Sequence, residues 1–115
     1  MKESILRTKS FNFALRIVNL SKILIAERKE YILSKQLIRS GTSIGANIRE
    51  AGFAQSKADF VHKLSISLKE AAETEYWLEL LYRADFITEK EFISIDADVK
   101  ELLKMLIASI NSAKK

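Results

Sequence analysis

The sequence predicts an all-α fold, an antiparallel up-down four-helix bundle made by a single domain over residues 1–115. Three observations lead there. Proline is absent, so the strongest helix breaker is missing throughout. Apolar residues recur at intervals of three and four in four long stretches, separated by short polar ones. Hydrophobic residues make up 48% of the chain and charged ones 30%, a balance that supports a buried core at this length.

The first helix is expected over residues 4–27. Leu6, Phe11, Phe13, Ala14, Leu15, Ile17, Val18, Leu20, Leu24 and Ile25 project over roughly 220°, wider than the stripe of a one-sided surface helix. Such a helix needs partners on two sides. Residues 26–30 read as a charged connection, and the second helix as residues 31–52. Leu33, Leu37, Ile44, Ile48 and Ala51 share one stripe of it, and all three glycines of the chain, at 41, 45 and 52, fall in the same segment. A glycine inside a helix costs roughly 1 kcal/mol relative to alanine. At Gly41 and Gly45 that cost is offset if another backbone packs unusually close. The opposite face, Lys35, Arg39, Thr42, Ser43, Ala46 and Glu50, is polar but built of small residues, which fits a contact surface better than a solvated one.

Ser56 to Asp59 resembles a capping box and opens a third helix that runs to residue 83. Phe60, Val61, Leu64, Leu68, Ala71, Leu78 and Tyr82 form its first stripe. Ile66, Trp77, Leu80 and Leu81 form a second, on another side. A turn over residues 83–87 leads to a full capping box, Thr88 to Glu91, and to a one-sided fourth helix with Phe92, Ile95, Val99, Leu102, Leu103, Leu106 and Ile110 inward. The first and third helices carry more apolar surface than one bundle buries, which predicts a homo-oligomer. Arg39, Ser40, Gly41, Ser43, Gly45, Asn47, Glu50, Glu70, Glu73 and Trp77 are the candidates for the oligomer interface or for helix packing.

Little in the sequence points to catalysis. No cysteine is present, so disulfides, thiolate nucleophiles and zinc-thiolate sites are excluded, and a reducing, cytoplasmic setting is expected. No signal peptide or membrane span is read, since no apolar run approaches 18 residues. His62 is the sole histidine, and Asp59-x-x-His62 is one arm of a carboxylate-bridged metal site without the second. The glycines lack the strand and the Gly-Lys-Ser/Thr ending of a phosphate loop. Neither catalytic residues nor a metal or cofactor are expected. Glu70, Glu73 and Glu75 read as ion-pair partners for Arg39, Arg49 or Lys63.

The net charge of +4 is unevenly spread. Residues 1–52 hold 10 Lys/Arg against 4 Asp/Glu, and residues 53–115 hold 9 against 11. Clustered cations fit a polyanionic partner. They equally fit a basic half that pairs with the acidic half. If nucleic acid is the partner, the candidate phosphate contacts are Lys9, Arg16, Lys22, Lys35, Arg39 and Arg49.

The run Arg39-Ser40-Gly41-Thr42-Ser43-Ile44-Gly45-Ala46-Asn47-Ile48, continued by Ser56-Lys57-x-Asp59-Phe60 and by Glu70-Ala71-x-Glu73-Thr74-x-Tyr76-Trp77-Leu78, resembles the bacterial four-helix-bundle proteins first known from open reading frames in intervening sequences of large-subunit ribosomal RNA genes. The resemblance covers about residues 10–110. It implies an up-down bundle assembled as a ring-like homopentamer. A similar fold belongs to the accessory variability protein of diversity-generating retroelements, a basic pentameric barrel that binds nucleic acid and reverse transcriptase. That implies non-enzymatic nucleic-acid binding, RNA or DNA, through basic residues repeated around a ring. The alternative is a scaffold for an unidentified protein, its basic charge incidental.

Overall fold

The computed structural model describes residues 2–115 as four helices, α1 (Lys2–Ala26), α2 (Leu33–Ala51), α3 (Lys57–Arg83) and α4 (Glu89–Lys114). They form a rod of 45 × 21 × 19 Å. Each helix packs on two neighbours, α1 on α2 and α4, and α3 on α2 and α4; among the described residues the Cα atoms of the diagonal pairs stay more than 8 Å apart. The direction of each helix follows from its cross-contacts. Gly41 lies against Ile17 while Gly45 lies against Ser10, so α1 and α2 run opposite ways. Ser67 Oγ donates to the Ile44 carbonyl and Thr74 Oγ1 to Ser40 Oγ, which sets α3 against α2 in the same sense. Lys57 at the start of α3 donates to the carbonyl of Lys115, beyond the end of α4. The bundle is therefore up-down-up-down.

One core runs the length of the rod. Phe13, Ile17 and Leu24 from α1, Leu37 and Ile44 from α2, Leu64, Leu78 and Leu81 from α3, and Val99, Leu102 and Leu106 from α4 are all but completely buried. Leu81, expected on an outer stripe, belongs to this core. It stands about 100° from Leu80 on the helix, which puts it on the inner side. At each shared glycine the helices come close. A Cβ on Gly41 would lie 2.9 Å from two carbons of Ile17, and one on Gly45 would lie 3.3 Å from Ser10 Oγ. This close approach of α1 offsets the helix cost of two glycines.

The helix ends explain where the chain turns. Thr88 and Glu91 form the expected capping box. Ser56 accepts from the Asp59 amide at 3.0 Å, but the Asp59 carboxylate reaches past it to the Gln55 amide, so only half of a standard box is made. After α3, Asp85 takes a left-handed φ of 65°. The Phe86 amide then bonds to the Leu81 carbonyl and the Asp85 amide to that of Tyr82, a Schellman closure with a non-glycine residue at its left-handed position.

The start of α2 differs from expectation. Ile32 at the N-cap position offers no side-chain acceptor. Glu30 supplies it instead: its carboxylate accepts from the amides of Ile32 (3.2 Å), Leu33 (3.0 Å) and Ser34 (2.6 Å), and Ser34 Oγ donates back to the Glu30 carbonyl at 2.8 Å. Glu30 is buried, so the stretch read as a charged connection contains a buried cap. A carboxylate facing three amides at a helix N-terminus is favoured both by hydrogen bonding and by the helix dipole. The helix consequently begins at Leu33.

Candidate interaction surface

The apolar excess anticipated on α1 is visible. Phe11, Leu15 and Ile25 are about half exposed. They recur at spacings that keep them on the side of α1 leaning toward α2. The facing side of α2 is made of Thr42, Gly45 and Ala46. Between the two helices lies an open groove of about 520 Å³, walled by Phe11, Ala14, Leu15 and Val18 on one side and by those small residues on the other, with Arg7, Arg49 and Glu50 at one end. The backbone of α2 approaches α1 at Gly45, where a Cβ would meet Ser10 at 3.3 Å, and beside that contact the small Thr42 and Ala46 line the groove.

The six cations expected to contact phosphate fall into two groups. Lys9 and Arg16 lie on the other side of α1, against α4: Lys9 pairs with Glu101 at 3.0 Å, and Arg16 with Asp98 at 2.6 Å and Ser94 Oγ at 3.0 Å. Arg39 pairs with Glu73 and, at 3.5 Å, with Glu70, both of the same chain. Among the described residues Lys22, Lys35 and Arg49 make no ion pair. Lys22 and Lys35 are exposed at nearly one level of the rod, because Ile17 faces Gly41 and each lies five or six residues further toward the α1–α2 turn. Arg49 instead stacks over Phe11, its guanidinium carbon 5.6 Å from the ring centroid.

The residues expected at an interface or in helix packing divide as well. Ser40 and Gly41 are buried inside the bundle, Ser40 accepting from Thr74 at 2.9 Å. Ser43 and Asn47 turn back on their own helix, Ser43 Oγ donating to the Arg39 carbonyl and Asn47 Nδ2 to that of Ser43. Glu50 pairs with Lys63 at 2.9 Å, and that hydrogen bond raises the Lys63 pKa. Trp77 Nε1 donates to Glu73 at 2.9 Å, so Arg39, Glu73 and Trp77 form one chain of contacts across α2 and α3. Tyr76 stands beside it, 59% exposed and edge-on to the Trp77 ring.

Two groups escaped sequence reasoning. Arg28, from the α1–α2 turn, bonds in bidentate fashion to Glu91 at 3.0 and 2.8 Å and to the Phe86 carbonyl at 2.8 Å, clamping both turns at one end of the rod. The Arg28 hydrogen bonds, helped by the Thr88 amide, hold the Glu91 carboxyl down at about 2 against the opposing effect of burial. The other is Glu30, described above. Among the described residues no three His, Cys, Asp or Glu side chains gather as a metal site would require, and no helix is long and apolar enough to cross a membrane.

Comparison with known proteins bears on the whole chain. The family model described as 23S rRNA-intervening sequence protein matches residues 2–108. A crystal structure of a protein with unknown function from the S23 ribosomal protein family of Bacteroides thetaiotaomicron superposes with a TM-score of 0.95; it is 58% identical, and the alignment covers 96% of this chain and 99% of that one. No curated protein matches.

Proposed function

The chain belongs to the family of 23S rRNA-intervening sequence proteins, and we propose that it acts without catalysis, as a self-assembling basic bundle that binds nucleic acid, with RNA the first candidate. The observation that carries the reading is the sorting of its cations. Lys22 and Lys35 stand exposed together beside the α1–α2 turn, where Lys29 and Glu27 are exposed too, and neither Lys22 nor Lys35 is held by a described carboxylate. Repeated around a ring-like pentamer, the assembly that the family resemblance implies, this basic end would present many phosphate contacts to one strand. Multiplied weak contacts to phosphate give affinity that depends steeply on salt.

A second reading has its own support. Lys9, Arg16 and Arg39 are balanced by carboxylates of the same chain, and the α1–α2 groove is mostly apolar in its middle. Both features fit a scaffold for a protein partner.

Light-scattering mass with fluorescent RNA and DNA titrations over a salt series separates the two. Nucleic-acid binding is expected, with log affinity falling against log salt. The variant Lys22→Glu/Lys35→Glu should lose most of it at unchanged mass, while Lys9→Glu/Arg16→Glu should lose less. An oligomer that ignores nucleic acid at low salt would leave the scaffold as the better account.

A further inference from the structure

We infer that the α1–α2 turn reads unpaired bases: the Tyr31 ring stacks on a nucleobase of a single strand while Lys22, Lys29 and Lys35 hold the phosphates beside it. The inference rests on the nucleic-acid reading above and narrows it, from any polyanion to single-stranded RNA or DNA.

The first argument is what surrounds the ring. The chain has three tyrosines. Tyr76 lies edge-on to Trp77, and Tyr82 stacks on Phe92. Among the described residues Tyr31 meets no other ring, and no cation stands over it. It is 57% exposed, and Ile32 beside it is 75% exposed. An aromatic ring left open to water offers a π-face that any unstacked base can cover.

The second argument is how firmly the turn holds that ring out. Lys29 takes a left-handed φ of 55°, and the Glu30 amide bonds to the Leu24 carbonyl at 2.9 Å, which closes α1. The Glu30 carboxylate then caps α2 from inside, through the amides of Ile32, Leu33 and Ser34. The Gln36 amide reaches the Ile32 carbonyl, so Ile32 already stands in the first turn of α2. Tyr31 is therefore fixed between a buried residue and a bonded one, and the Arg28 clamp to Glu91 ties the whole turn to its neighbour. A side chain presented on a backbone set in advance loses less freedom on binding.

Charge is the third argument. Between Lys22 and Lys35, Arg28 is engaged by Glu91 and Glu30 by the helix amides. Three exposed ammonium groups and one exposed carboxylate, Glu27, remain. Lys29 Nζ donates to the Ala26 carbonyl and keeps its charge beside the turn. Lys35 follows Ile32 by three residues, on the same face of α2. Cations that track a backbone, next to a ring that takes a base, are the combination by which single strands are bound. A duplex keeps its base faces inside the stack and offers the turn only phosphates.

The test titrates unstructured RNA and DNA strands, and duplexes of the same sequences, by fluorescence anisotropy over a salt series. Single strands should bind more tightly than duplexes. Tyr31→Ala should weaken single-strand binding by roughly 5- to 150-fold, with duplex affinity and the slope against log salt unchanged. Tyr31→Phe should bind as the parent does. Lys22→Gln/Lys35→Gln should instead lower the salt slope for both kinds of strand. Phe53→Ala is the control, an exposed ring in the turn at the other end of the rod, and should change nothing. Circular dichroism and light scattering check fold and mass. A strand carrying 5-iodouridine, irradiated with the unaltered protein, should cross-link at Tyr31, a readout that needs no variant to fold. Equal affinity for single strands and duplexes, full binding by Tyr31→Ala, an equal loss in Phe53→Ala, or cross-links only elsewhere would each overturn the inference and leave nucleic-acid binding standing. Binding of no strand at low salt would remove that reading and the inference with it.

Discussion

The two sides of α1 meet the rest of the chain in different ways. Toward α4 it offers charges that find partners: Lys9 with Glu101, and Arg16 with Asp98 and Ser94. Toward α2 it offers bulk, taken up by glycines below and left uncovered above, where Phe11 and Leu15 are half exposed. The first seam is finished within one chain and the second is not. A helix with apolar residues over most of its circumference carries more apolar surface than its neighbours in the chain cover, and on α1 the uncovered part is Phe11, Leu15 and Ile25.

The difference is broken most severely at Gly41. A Cβ there meets two Ile17 carbons at 2.9 Å, and Ile17 is fully buried with nowhere to retreat. Gly41→Leu is expected to destabilise the bundle by about 3 kcal/mol, the upper part of the range for overpacked cores. Gly45→Ala should cost far less, because its nearest neighbour at 3.3 Å is a serine hydroxyl and the gain in helix propensity offsets part of the strain. Urea denaturation of the two variants measures both; equal stabilities would refute the close-packed seam.

Acid tests the finished side. The Glu91 carboxyl, held at about 2 in the fold by Arg28 against an ordinary 4.5, contributes stability that is fully present above pH 4.5 and lost as pH falls toward 2. The carboxylate is about one third exposed, so screening reduces the contribution to about 1 to 2 kcal/mol. Glu91→Gln should remove this part of the acid dependence, and its thermal midpoint should change less than that of the parent between pH 6 and pH 3. An unchanged pH profile would show that the clamp does not hold the two turns.

Much of this was legible beforehand, and what was not shares a cause. Helical periodicity reads contacts within a turn or two, so the four helices, the Thr88 to Glu91 box and the close approach at Gly41 and Gly45 could be expected from local pattern. Lys9 and Glu101 are separated by 92 positions, and no local spacing pairs them. The Glu30 cap was missed because it precedes its helix by three residues, outside the usual serine-to-glutamate spacing that announces an N-terminus. Leu81, grouped with Ile66, Trp77 and Leu80 by sequence, is fully buried, since one step of 100° from Leu80 is enough to pass from surface to core. The groove had its composition in the sequence, in small residues on α2 and bulky ones on α1. Its existence as a hollow required knowing that α1 and α2 are neighbours in register at Ser10 and Gly45.

The smallest effect sharpens the contrast at the α1–α4 seam. Arg16 and Asp98 are both a little over 40% exposed. An ion pair so open to water gains little, since attraction is screened and two long side chains must be held still. Arg16→Ala should therefore shift stability by less than about 1 kcal/mol, with Asp98→Ala similar and the double variant near their sum minus a coupling of a few tenths. A double-mutant cycle in urea at low and at high salt reads that coupling, which should fade as salt rises. A coupling above about 2 kcal/mol that salt leaves untouched would mean that the seam with α4 holds the bundle as firmly as the glycines do, and the two sides of α1 would no longer differ in kind.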